Sequence, residues 1–247
     1  MAFDLSTLDA PFAALAAYNW GADAAPLAAI DKAVIAAHAD QALRADLEKR
    51  LQAILGAGPS RAAKEYACRK LMMIGTAASV PALAALLGDK DNSHMARFAL
   101  ERIDAAEAGA ALRAALDAVP GALKIGMISS LVGRRDAAAV PALAKLLTGD
   151  APIATAAAEA LGTIATPEAL AALAAADPMA AGGLGRAIVD ARLACAEKLL
   201  AAGKRAEAKA VYQALADAAR GKTAAKHVEL AATRGIVACL DTSVAAT

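Results

Sequence analysis

"SVPALAALLGD" at residues 79–89 and "AVPALAKLLTGD" at residues 139–150 are nearly the same phrase, 60 residues apart. A catalytic motif seldom needs a second copy in one chain, whereas a structural unit often does. Each phrase carries a leucine stripe: Leu83, Leu86 and Leu87 in the first, Leu143, Leu146 and Leu147 in the second. The i, i+3, i+4 spacing is that of one face of an α-helix, so both stripes are expected to face a core. Pro81 and Pro141 fit the first helical turn, where a missing amide hydrogen costs nothing. Val80 and Val140, just before them, are expected to be extended or turn-like.

Working outward, the two phrases fall into a longer register. Leu71, Leu100, Leu131 and Leu161 form one series, and Leu83, Leu112, Leu143 and Leu173 form a second; both step by 29, 31 and 30 residues. Two series with equal steps predict four helix pairs with a period of about 30 residues. Such a pair cannot bury its apolar face alone and must stack on its neighbours. The 60-residue gap between the phrases is then two structural steps.

Apolar periodicity broken by Gly, Pro, Asp and Thr clusters, such as "GDKDN" at 88–92 and "TGDAP" at 148–152, predicts fourteen helical segments. They span 6–18, 26–38, 40–55, 60–74, 78–87, 93–103, 106–118, 122–133, 137–147, 152–164, 167–176, 187–202, 205–219 and 224–239. The composition agrees. The chain is 59% hydrophobic but only 3% aromatic, and alanine dominates. Alanine favours helices and lets them approach closely, whereas a β-sandwich or barrel calls for β-branched and aromatic residues. Three zones follow: an N-terminal helical cap at 1–58, four repeats at 59–177, and C-terminal helical repeats or a cap at 178–247.

The phrases "CRKLMMIGTAASVPALAALLGD", "MARFALERIDAAEAGAALRAAL", "SSLVGRRDAAAVPALAKLLTGD" and "AAAEALGTIATPEALAAL" resemble HEAT-type repeats. They are most similar to the short HEAT-like class found in phycobilisome lyases and in bacterial scaffold proteins, and the whole chain resembles bacterial HEAT-repeat proteins of unassigned function. The resemblance covers about 120 residues. It implies an all-α, right-handed α-solenoid of antiparallel helix pairs, roughly seven in all, with a concave face used for binding. It does not imply lyase activity, because such repeats serve many unrelated functions.

Motifs for chemistry are sparse. The histidines are His38, His94 and His227; no HExxH occurs, and no His/Cys pair has metal-ligand spacing. No metal, cofactor or catalytic residue is therefore expected. His94, in "KDNSHMARF", reads as a cap or surface histidine. The three cysteines, Cys68, Cys195 and Cys239, are an odd count without CxxC spacing, which fits buried reduced thiols. Cys68 lies between Glu65 and Arg69, so an activated thiol is the alternative there. "GGLG" at 182–185 is the one glycine cluster suited to a phosphate. No Lys-Ser or Lys-Thr step follows it and no strand precedes it, so it reads as a helix junction.

Net charge is +1, which gives no strong pull toward nucleic acid or anionic membrane. The charge is uneven, however: residues 1–40 hold five aspartates and one lysine, while 186–247 hold ten basic and six acidic residues. The opening stretch "MAFDLSTLDAPFAALAAYNW" lacks a basic n-region, and no long uncharged apolar run occurs, so a cytoplasmic chain without a membrane span is expected. The expected function is a non-enzymatic protein–protein scaffold, with self-association as a further option for its surface. Candidate contacts are Arg69, Arg97, Arg102, Arg134 and Arg135, all expected to be exposed. "GRRD" at 133–136 stands out, because two arginines at a helix junction are costly to bury and can fork onto carboxylates. The alternatives are a tetrapyrrole or small-molecule lyase-like activity in the groove, and DNA-backbone binding by recurrent basic residues. Near-neutral charge and a single tryptophan argue against the latter.

Overall fold

The computed structural model describes residues 4–240. Among them are fourteen α-helices and no strand, and each expected segment coincides with one helix. The chain divides into two compact units within the "GRRD" turn, one ending at Arg134 and the other starting at Arg135. The first contains α1 (Asp9–Ala17), α2 (Ala28–Ala36), α3 (Gln41–Ile54), α4 (Arg61–Ile74), α5 (Val80–Ala84), α6 (Ser93–Arg102), α7 (Ala106–Ala118) and α8 (Gly121–Gly133). The second contains α9 (Val140–Leu146), α10 (Ala151–Ile164), α11 (Pro167–Ala175), α12 (Gly183–Ala201), α13 (Arg205–Ala219) and α14 (Lys226–Ala238).

Within each unit the helices pack neighbour to neighbour, in the manner of an all-α solenoid of antiparallel helix pairs. In the first unit α4 packs on α6 and α6 on α8, while α5 packs on α7. In the second, α10 packs on α12, α9 on α10 and α11, and α13 on α12 and α14. All eight leucines of the two register series have 0% exposure. Truncating any one to alanine would cost about 2–5 kcal/mol. Three helices, α3, α4 and α11, start at short polar caps. Ser60 Oγ accepts from the Ala63 amide at 3.2 Å, Asp40 Oδ1 from Leu43 at 3.0 Å, and Thr166 Oγ1 from Ala169 at 3.2 Å.

Two local expectations need correction. Val80 (φ −58°, ψ −46°) and Val140 (φ −52°, ψ −46°) are helical, not extended. A 3-10 turn at Ala77–Ser79, and another at Ala137–Ala139, already winds the chain before each proline. The proline therefore lies at the head of the α-helix proper, where its missing amide is harmless. The "GGLG" cluster does lie at a helix junction, but α12 starts at Gly183 and not at 187. Gly182 (φ 71°, ψ −146°) is the N-cap of α12, and the other glycines form its first turn. A Cβ on Gly185 would lie 2.2 Å from the Ala180 carbonyl oxygen, so only glycine allows the preceding loop to lie against the helix.

The ends of α4, α6 and α10 are tied by cations from a neighbouring helix or the turn after it. Their terminal carbonyls lack intrahelical partners and would otherwise be unpaired. Arg44 of α3 donates to the Ile74 and Gly75 carbonyls at the end of α4, at 2.7 and 3.3 Å. Lys198 of α12 donates to the Thr163 and Gly162 carbonyls of α10, at 2.7 and 3.3 Å. Arg134 performs the same task for α6, as described below.

Candidate functional site

The five candidate arginines separate into two groups. Arg69, Arg102 and Arg135 are exposed, whereas Arg97 and Arg134 are half-buried. The expectation of exposure is therefore wrong for Arg97 and Arg134, because both are drawn inward by backbone carbonyls. Arg134 Nη1 donates to the Leu100 and Ile103 carbonyls at 2.6 and 2.7 Å, and Nη2 to Ala105 at 3.0 Å. One guanidinium, with its five fixed donors, thus caps α6 and the turn that follows it. Arg135 beside it is exposed and sits at φ 51°, a left-handed conformation that side-chain-bearing residues rarely adopt.

Arg97 spans α6 and α8. Its Nη1 donates to the Gly126 carbonyl at 2.9 Å and to Ser130 Oγ at 3.0 Å, while Ser130 Oγ donates to Glu101 at 2.7 Å. A Cβ on Gly126 would stand 2.7 Å from the guanidinium carbon, so the glycine makes room for the charge. Burial lowers the Arg97 pKa and Glu101 counteracts it. This is a structural seam and leaves Arg97 little freedom for a partner.

Arg69 and Arg102 lie on a surface with a consistent layout. The residue two places before each leucine of the first series is Arg69, Phe98, Ser129 or Glu159, and all four are exposed. The residue two places after is Met73, Arg102, Gly133 or Thr163, again all exposed. Two places along a helix turn the side chain by about 200°, so positions flanking a core leucine point away from the core. The scaffold thus repeats while its outer residues vary. Large apolar or guanidinium groups occupy both positions only on α4 and α6, which pack together. Met73 is 46% exposed and Phe98 40%, high values for such side chains. The His94 ring stacks near Phe98, with centroids 6.2 Å apart, and its Nδ1 lies 3.3 Å from Arg97 Nη2.

The edge of this surface is built by the N-terminal helices. Ser60 Oγ donates to the Tyr18 carbonyl at 2.5 Å, which fixes the chain leaving α1 against the start of α4. Trp20 follows and is 64% exposed. With Tyr18, Tyr66, Glu65 and Arg69 it lines a shallow depression of about 130 Å³. Arg69 pairs with Glu65 one turn before it and remains 60% exposed. Behind them Asp31 of α2 accepts from Tyr66 Oη at 2.7 Å and pairs with Lys70 Nζ at 2.6 Å. Burial pulls the Asp31 pKa up, but the bonds from Lys70 and Tyr66 outweigh it and leave the pKa below the usual carboxylate range.

The arginine-only reading missed Trp20, Met73 and Phe98. The leucine register could have found the last two, since it marks which positions turn outward; nothing comparable in the sequence marks Trp20. All three cysteines are buried and free. Burial pushes the Cys68 thiol up to about 12, with Glu65 adding to the effect, so Cys68 is not an activated nucleophile. Burial also raises Cys195, against the pull of Lys198. Among the described residues, no group of three or more His, Cys, Asp and Glu is placed to hold a metal ion. Nor, among them, is any helix long and apolar enough to cross a membrane. No family model matches the sequence, and no curated protein is detectably similar to it.

Proposed function

We propose that the protein is a non-enzymatic, HEAT-like scaffold that binds another protein through the outward face of α4 and α6. The observation that supports this reading is the concentration of Trp20, Arg69, Met73, Phe98 and Arg102 on one unit, at or beside register positions that elsewhere hold Ser, Gly, Glu and Thr. Tryptophan and arginine are residue types in which protein–protein binding energy concentrates, and aromatic residues and methionine are enriched at interfaces. Arg102 lies exposed in the last turn of α6, where the helix dipole favours positive charge, and suits an acidic group on the partner.

The test is affinity capture from the source cell with wild-type protein and with Trp20→Ala, Phe98→Ala and Arg102→Ala variants. A protein recovered by wild type and lost in the variants, all of which retain the wild-type unfolding midpoint, is the expected result. Recovery that is indifferent to all three substitutions places the contact elsewhere and overturns this reading.

A further inference from the structure

The second unit contains a cavity of about 430 Å³ between the starts of α12 and α14, within the size range of small-molecule sites. One wall is apolar. Met179, Val189 and Val228 line it, and the same residues belong to the core cluster shared with Leu215 and Ala232. The lining also holds two cations, Arg186 from the first turns of α12 and Lys222 from the turn before α14, with His227 from α14 itself. Asp190 is the one acidic residue of the lining.

Among the described residues, none of the three basic side chains has an ion-pair or hydrogen-bond partner. Nearby exposed cations are engaged differently: Lys204 pairs with Glu207, Arg220 with Asp217 and Lys226 with Glu229. Two unpaired cations and a histidine lining a concave, half-apolar space, against the single carboxylate of Asp190, define a ligand by its chemistry. It has a negative head and an apolar body. Gly182 and Gly185 bring the start of α12 to the same lining, which adds partial positive charge of matching sign.

We propose that this cavity binds a small amphipathic organic anion, with a phosphate or carboxylate head on Arg186, Lys222 and His227 and a hydrocarbon or aryl body against Met179, Val189 and Val228. The site is separate from the α4–α6 face and stands or falls independently of it. It draws on Arg186 and Lys222, two of the ten basic residues of 186–247, which the scaffold reading leaves unused.

Isothermal titration calorimetry with octyl phosphate below its micellar range tests the site, with octanoate, inorganic phosphate and octyl glucoside as companion probes. The expected result is saturable one-to-one binding of octyl phosphate or octanoate, the tighter of the two identifying the head group. Octyl glucoside and inorganic phosphate each lack one half of the ligand and should bind at least about tenfold more weakly. Arg186→Ala and Lys222→Ala should each weaken binding by about tenfold, and Asp190→Asn should strengthen it. All three positions are exposed, so the variants should keep the wild-type melting curve. No saturable heat with either anion, equal binding of octyl glucoside, or affinity unchanged in both cation variants would overturn the proposal.

Discussion

The contact between α6 and α8 in the first unit and the contact between α10 and α12 in the second occur at the same stage of the repeat but use different chemistry. In the first, Gly126 leaves space for the Arg97 guanidinium, which bonds Ser130, which in turn bonds Glu101. In the second, Gly162 leaves space for a neighbouring backbone: a Cβ there would lie 2.6 Å from the Ala191 Cα. A polar seam and a close small-residue contact thus both serve to stack helices, and the small-residue contact is the more extensive of the two. In both, the glycine is what lets the gap between helices be filled.

The difference predicts unequal tolerance to the same change. Gly162→Ala forces two helices apart and should cost about 3 kcal/mol in urea unfolding, whereas Gly126→Ala needs only a guanidinium to swing and should cost about 1 kcal/mol. Equal losses would mean that the polar seam is as rigid as the backbone contact. The next effect is Arg134→Ala. It strips donors from four carbonyls at the end of α6 and in the turn after it and should cost about 2 kcal/mol, while Arg135→Ala, an exposed neighbour in the same turn, should stay within about 0.5 kcal/mol. If the two substitutions cost the same, the capping role assigned to Arg134 is wrong.

The skeleton was legible because its signal is redundant. Leu71, Leu100, Leu131 and Leu161 each report the same buried position, so a misread copy is corrected by the others. The site was only partly legible because exposure depends on partners that the spacing does not encode. "GRRD" presents two arginines in sequence, but carbonyls about thirty residues earlier take Arg134 inward and leave Arg135 outside. The burial of Arg97 likewise depends on Gly126 and Ser130, a repeat further along the chain. The cavity between α12 and α14 joins "GGLG" to residues some forty positions later, beyond any motif. The start of α12 was missed for a related reason: glycines are poor helix formers, and these are retained because Gly182 turns the chain and Gly185 lies on Ala180.

The central claim, that the varied outer residues of the first unit are the binding surface while the repeated leucines are only structure, can be tested at one register position. Phe98 and Glu159 both stand two places before a core leucine and both are exposed, one in each unit. A photo-crosslinking amino acid placed at 98 should yield a discrete adduct with a second protein in the source cell, and the same amino acid at 159 should yield none. Adducts of equal yield at both positions, or an adduct at 159 alone, would contradict the claim.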